Sequence, residues 1–315
     1  MRYSRQIIYE KIGSERQKMI EKSKVAVVGA GALGSIACEL LVRAGIGRLV
    51  IIDRDILEEH NLQRQALFTE EDIGKSKAAA AESHLKKINS KVKIETYITD
   101  LDHQNIDLLR ADLVLDCTDN LFTRFLINEY CRSKKIPWVY TAVIGCSGML
   151  MNIIPKRKYC FRCIFEEASG LDTCETAGIL NTTPHALVAM QVTQVLKIIT
   201  KQPSEKDLIN LDLWNLKLSR VKVKHNPKCP VCQGKYEYLE GKSHGLVKLC
   251  GSGNFQFKGK LKYFSLKDSL SKIGKVTDLG YCFHFKELIV FKDRVLIKAK
   301  TESEAKSLYS KYIGN

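Results

Sequence analysis

Gly29, Gly31 and Gly34 stand at the spacing G-x-G-x-x-G in the stretch SKVAVVGAGALGSIACELLVRAG, after an apolar run and before a helical one. Glycine at that spacing permits a tight turn and close approach of backbone to a phosphate, while the helix N-terminus supplies positive potential. Asp53 closes the next apolar run, RLVIIDRD, where a carboxylate can accept hydrogen bonds from a ribose. The pattern points to a nucleotide without choosing between NAD and ATP. Its bland alternative is a glycine turn needed only for packing.

Three further residues bear on that choice. Arg64 lies 11 residues after Asp53, in NLQRQ; Lys77 follows in GKSK; Asp119 ends a later strand, in DCTDN. In a doubly wound sheet all three would converge near the phosphates. Two cations and a carboxylate suit ATP with Mg²⁺, whose chemistry rests on charge neutralisation and positioning. A hydride transfer needs none of them. Taken singly, Arg64 and Lys77 can be read as surface charges and Asp119 as a helix N-cap.

Cysteine supplies the second kind of chemistry. The chain has 11 cysteines, and its opening, MRYSRQIIYEKIGSE, lacks the apolar stretch of an export signal, which argues against a disulfide framework. Cys160-x-x-Cys163 and Cys229-x-x-Cys232, in CFRC and CPVC, are separated by 65 residues. Two such knuckles can supply a tetrahedral site for Zn²⁺. With all four positions filled by thiolates the metal would be structural, tying an excursion of the chain to the end of the main domain. A redox C-x-x-C pair is the competing reading. Cys174, in DTCETAG, lies in a polar loop, where a thiol could take over an activated acyl group or be a bystander. Cys38, Cys117, Cys131, Cys146, Cys250 and Cys282 lie in apolar segments and read as core. His185 reads as a helix N-terminal residue, and Trp138 and Trp214 as packing residues.

The elements that must position these groups alternate. Strands at KVAVV, RLVIID, KVKIETYIT, ADLVLD and IPWVYTAVIG are separated by helices at ALGSIACELLVRA, GKSKAAAAESHLKKIN and LFTRFLINEYCRSKK. Such alternation predicts an α/β fold: a Rossmann-like, doubly wound, mostly parallel sheet with its site at the strands' C-terminal ends. The alternation breaks at the cysteine-rich stretch KRKYCFRCIFEEASGLDTCETAG, then resumes with a capped helix, TPHALVAMQVTQVLKIIT, and a β-hairpin, LINLDLWNLKLSRVKVK. Residues 1–239 are therefore expected to form one nucleotide-binding domain including the zinc-knuckle segment. Residues 240–315 are expected to form a small basic α+β domain, with a helix at SLKDSLSKIG, strands at YCFHF and LIVFKDRVLIKA, and a last helix at SEAKSLYSKYIG.

At 315 residues and 45% hydrophobic, the chain can bury a sizeable core. No apolar run reaches the roughly 20 residues of a membrane span, so a cytoplasmic protein with no membrane partner is expected. The formal charge is +15, and from Glu240 onward 15 Lys/Arg against 7 Asp/Glu leave a net +8 in the last quarter. Basic charge alone specifies no partner, and no nucleic-acid-binding motif accompanies it.

Taken in order, RYSRQ, GAGALGS, IIDRD, NLQRQ, GKSKA, DCTDN, CFRC, CETAG and CPVC resemble the ThiF/MoeB/HesA family, the prokaryotic relatives of ubiquitin-activating enzymes. The matching motifs cover residues 2–232, and the tail FKDRVLIKAKTESEAKSLYSKYIG resembles the C-terminal extension of some ThiF-type members. Relatives tend to carry a glycine after the aspartate of FKD, where this chain has Arg294. The resemblance implies an adenylyltransferase that uses ATP to activate the C-terminal glycine of a ubiquitin-fold sulfur carrier of the ThiS or MoaD kind, ending in Gly-Gly. It places Arg64 and Lys77 on the triphosphate, Asp119 on Mg²⁺, Asp53 on the ribose and Asn61 on a phosphate. It implies a homodimer in which Arg5 reaches the partner protomer's phosphates, and a Cys174 thiol that links covalently to the carrier during sulfur transfer. A sulfurtransferase or cysteine desulfurase is an implied partner. Three other readings stay open: an enzyme of tRNA thiolation, an NAD-dependent oxidoreductase, and a scaffold that has lost its chemistry.

Overall fold

The computed structural model describes residues 2–165, 178–241, 254–258, 261–292, 294–299 and 301–314. The chain divides into two compact units, Met1–Ser243 and His244–Asn315.

In the first unit, β1 (Lys24–Val28), β2 (Arg48–Ile52), β3 (Lys93–Tyr97), β4 (Leu113–Asp116) and β5 (Trp138–Ile144) pair in parallel in the order β3-β2-β1-β4-β5. Three strands then continue the sheet in antiparallel fashion: β6 (Ser147–Ile153), β7 (Leu208–Asp212) and β8 (Lys217–Val221). Alternation along each strand sends its residues to two cores. Val25, Val27, Leu49 and Ile51 meet α3 (Ala32–Ala44), α4 (Lys77–Ile88) and α6 (Thr182–Ile199) on one face. Ala26, Val28, Val50 and Ile52 meet α5 (Leu121–Lys134) and the two cysteine loops on the other. Both faces of the inner parallel strands are thus covered, which is why β1, β2 and β4 read as mostly apolar runs, while the edge strand β3 is only partly buried. The order reverses between β1 and β4, and a crevice at the C-terminal ends of these strands follows from that reversal.

Three local expectations change. Helices α1 (Ser4–Ile8) and α2 (Gly13–Lys22) precede β1, unannounced because α2 buries only Gln17 and Ile20. Strand β6 is a direct return of β5 through the turn at Gly145–Cys146, where a continuing α/β alternation would need a helix. Helix α6 has no side-chain N-cap bond; His185 lies in its first turn, with Nδ1 3.0 Å from the Asn181 carbonyl.

The second unit carries a five-stranded antiparallel sheet in the order β10-β11-β12-β13-β9. The strands are β9 (Asn254–Lys258), β10 (Thr277–Asp278), β11 (Phe283–Phe285), β12 (Leu288–Val290) and β13 (Arg294–Lys298). Phe283, Phe285, Leu288, Val290, Val295 and Ile297 face α7 (Tyr263–Ser271) and α8 (Glu302–Tyr312). The run LIVFKDRVLIKA, expected as strand throughout, is the hairpin β12–β13, closed by Phe291 N–H donating to the Arg294 carbonyl at 2.8 Å. Arg294 is buried, its guanidinium carbon 3.9 Å from the Phe291 ring centre. Among the described residues no helix is long and apolar enough to cross a membrane.

Candidate functional site

The glycine turn leaves β1 at Val28 and is pressed against the loop after β4. A Cβ on Gly29, whose φ is +91°, would lie 2.6 Å from the Cys117 carbonyl oxygen, and one on Gly34 would lie 1.8 Å from the Gly29 oxygen. Those two glycines are required by packing alone. Gly31 is different: a Cβ there would meet only the Gln65 Nε2 at 3.8 Å, and Gly31 heads α3, which has no side-chain cap. The N-terminal amides of α3 therefore remain available to an anion.

Asp53 ties the end of β2 to this turn. Its carboxylate accepts from Ala30 N–H at 2.6 Å and from Asp55 N–H at 2.7 Å. Burial, and then the neighbouring Asp55 charge, raise it to about 6, against the pull of Lys77 and the two amides. Lys77, at the start of α4, donates from Nζ to Asp55 Oδ2 at 3.0 Å. It is only 7% exposed, which removes the surface-charge reading. Burial disfavours its ammonium form, but Asp55 and Asp53 outweigh that and hold it above the ordinary lysine range.

Asp119 is exposed on the loop between β4 and α5. It is not the helix cap: Asn120 takes that place, its Oδ1 accepting from Thr123 N–H at 2.8 Å. The Asp119 charge acts on Lys77, Arg54 and Arg124 together. Its loop is held from beneath by a buried ion pair, Arg124 Nε to Asp116 Oδ2 at 3.2 Å. Thr118 N–H and Oγ1 donate to the other Asp116 oxygen, at 2.9 and 2.6 Å. Thr141 and Gln191 donate to the Asp116 carbonyl, at 2.9 and 3.3 Å.

Asp53, Lys77 and Asp119 are thus gathered at one end of the sheet. Arg64 and Asn61 are bonded within their own turn: Arg64 donates to the His60 carbonyl at 2.9 Å, and Asn61 Oδ1 accepts from Glu58 N–H at 3.1 Å. Gln63 of the same turn reaches the Ile179 carbonyl at 3.5 Å. Arg5 is exposed on α1, and Cys174 lies outside the described residues. Sequence reasoning passed over Arg54, Asp55, Asp116 and Arg124. Arg54 and Asp55 were visible as neighbours of Asp53 in IIDRD, and Asp116 as the first letter of DCTDN.

The four cysteines come together, all Sγ atoms lying within 4.8 Å of one another. Adjacent pairs are 3.5 Å (Cys163–Cys232), 3.6 Å (Cys160–Cys229 and Cys160–Cys232) and 4.0 Å (Cys160–Cys163). A tetrahedron of thiolates about 2.3 Å from a Zn²⁺ ion has edges of about 3.8 Å, so the donor set fits that metal. Two other expectations fail. Trp138 is fully buried, but Trp214 is 75% exposed at the tip of the β7–β8 ribbon. Cys146 is partly exposed in the β5–β6 turn, where Sγ lies 3.8 Å from Asp212 Oδ1; Cys250 lies outside the described residues.

Comparisons with known proteins agree with this arrangement. The sequence model of the ThiF family matches residues 3–231. A sulfur carrier protein ThiS adenylyltransferase of Bacillus subtilis is 35% identical over 337 residues, covering 99% of each chain and so including the C-terminal unit. The SAMP-activating enzyme E1 of Haloferax volcanii is 36% identical over 247 residues, 76% of this chain and 91% of that one. A crystal structure of Escherichia coli MccB with ATP superposes with a TM-score of 0.65 at 24% identity, covering 74% of this chain and 75% of that one; at that identity the likeness concerns the fold alone. With the family's sequence model matched over nearly three-quarters of its length, this chain belongs to the ThiF family.

Proposed function

We propose that the protein activates the C-terminal glycine of a small ubiquitin-fold sulfur carrier, of the ThiS or MoaD kind, by ATP-dependent adenylation, serving thiamine or molybdopterin synthesis. The observation that carries this reading is the interleaving of cations and carboxylates at the glycine turn, with Lys77 buried against Asp55 and the Asp119 charge acting on Lys77, Arg54 and Arg124. A hydride-transfer site has no use for that set.

The carrier's carboxylate attacks the α-phosphate, forming an acyl–phosphate bond as the bond to the leaving pyrophosphate breaks. No general base is needed, because the nucleophile is already ionised at neutral pH. Catalysis therefore rests on position and charge. The amides at the start of α3 receive phosphate, Asp53 accepts from the ribose, and Asn61, Arg64 and Lys77 hold the triphosphate. Lys77 reaches it by exchanging Asp55 for a phosphate oxygen. Arg64, bonded to a neutral carbonyl, keeps its full charge for the same purpose. Asp119, an exposed carboxylate, would hold Mg²⁺, a hard cation suited to oxygen ligands that offsets triphosphate charge. Cys160, Cys163, Cys229 and Cys232 would hold Zn²⁺ as a brace, with no open position for chemistry. Arg5 would act across a homodimer, and Cys174 would link to the carrier afterwards, with a sulfurtransferase or cysteine desulfurase as sulfur source.

Carrier-dependent ATP–pyrophosphate exchange tests the proposal, using small Gly-Gly-ended proteins of the ThiS and MoaD kinds. Exchange with one of them is expected and would identify the pathway. Tight NADH binding without ATP binding would end the reading.

A further inference from the structure

Arg54 follows Asp53 directly, and its side chain reaches toward the end of β3. Its NH1 donates to Asp100 Oδ1 at 2.7 Å, and Asp100 follows β3, on the side of β2 opposite β1. Its Nε lies 3.6 Å from Asp55 Oδ1. The Asp100 contact is a hydrogen bond and the Asp55 contact an ion pair, and the arginine side chain that makes both is only 16% exposed. The hydrogen bond to Asp100 constrains the orientation of the group, and the two carboxylates compensate its charge. That makes Arg54 a poor choice for holding phosphate, while an oriented guanidinium can stack on an aromatic plane where lysine does not.

The sheet order says what would lie beside that face. Phosphates belong at the glycine turn after β1 and the ribose at Asp53 after β2. The base, on the far side of the ribose, then falls toward the end of β3, where Arg54 and Asp100 sit. We propose that Arg54 is a substrate-binding residue, its guanidinium face stacking on the base of the bound nucleotide, and that Asp100 is the positioning residue that sets the plane. The proposal rests on the adenylation reading, which supplies the nucleotide.

The test is calorimetric binding to the full chain, with two probes: ATP–Mg²⁺ and inorganic tripolyphosphate–Mg²⁺, which has no base. Arg54→Lys keeps the charge and loses the plane; it should weaken ATP about tenfold, a typical stacking effect. Arg54→Phe keeps a plane and loses the charge; it should hold ATP within about threefold of wild type. Neither should alter tripolyphosphate binding, and in steady-state exchange Arg54→Lys should raise KM for ATP while leaving kcat unchanged. Asp100→Asn should weaken ATP about threefold and spare tripolyphosphate, and it decides the question in the same way if Arg54→Phe does not fold. ATP binding preserved by lysine and lost with phenylalanine would overturn the proposal, as would a parallel loss of tripolyphosphate. Wild-type protein that binds tripolyphosphate but not ATP would overturn the adenylation reading along with it.

Discussion

Asp53, Lys77 and Asp119 come from three separate element ends, Asp53 held by backbone amides and Lys77 by the Asp55 charge, whereas Cys160, Cys163, Cys229 and Cys232 come from two short loops and lie against one another. In the first region the buried cations have opposite neighbours: Lys77 has Asp55, Arg54 has Asp100, and Arg124 has Asp116. In the second, the cysteines are one another's neighbours, and a bound cation is what would offset four thiolates. The nucleotide end is thus held together by the polypeptide's own charges, while a bound cation would complete the cysteine cluster.

The sharpest way to break the contrast is to unpair the first region. Arg124→Met leaves Asp116 buried and charged, and should cost about 3–5 kcal/mol in urea unfolding. A loss below about 1 kcal/mol would mean that the pair does not hold the Asp119 loop. Asp119→Ala should lower carrier-dependent exchange by about 100-fold or more, the scale of one lost electrostatic contact in a transition state. Because that carboxylate is exposed, the thermal midpoint should stay put. Cys229→Ser addresses the other region: zinc content should fall well below one ion per chain and Tm by roughly 5 °C or more, with ATP affinity unchanged within about twofold. A collapse of ATP binding in that variant would show that the two regions are not independent.

Smaller effects concern protons. Asp53, raised to about 6 by burial and then by Asp55, loses its charge as pH falls through that value. ATP affinity should therefore drop about tenfold between pH 7 and pH 5, tracking the ionised fraction. Asp53→Asn should flatten the part of the profile that the nucleotide's own phosphates do not account for. Glu129 accepts from Tyr238 and Leu239 N–H at 2.8 and 3.0 Å, and burial raises it to about 7 from an ordinary 4.5. The folded state then binds more protons than the unfolded one between those values, so this residue's contribution to stability is present below about 4.5 and declines as pH rises toward 7. Glu129→Gln, which keeps an acceptor oxygen, should remove that slope and little else.

Much of the architecture was legible because it is local. A five-residue apolar run, a glycine turn and an amphipathic helix carry their own periodicities, and two C-x-x-C pairs carry their own spacing. What escaped was of three kinds. Strand β6 turns back directly after β5, with no glycine–asparagine signal to mark it. Trp214 reads as core by type, but sits in a turn between two strands at the sheet's edge, where no element covers it among the described residues. Arg54 and Arg124 look like ordinary arginines until their partners appear, and Asp100 lies 46 residues from Arg54.

From the sequence alone came the family, the mostly parallel sheet and the residues able to meet a nucleotide or a metal, because residue type and spacing along one segment suffice for these. The tertiary structure alone decided that Lys77 is buried, that Asn120 caps α5 in place of Asp119, and that Arg54 is locked by Asp100. Those outcomes depend on which strand ends become neighbours, and strand order is set by packing across the whole sheet, which no single segment encodes.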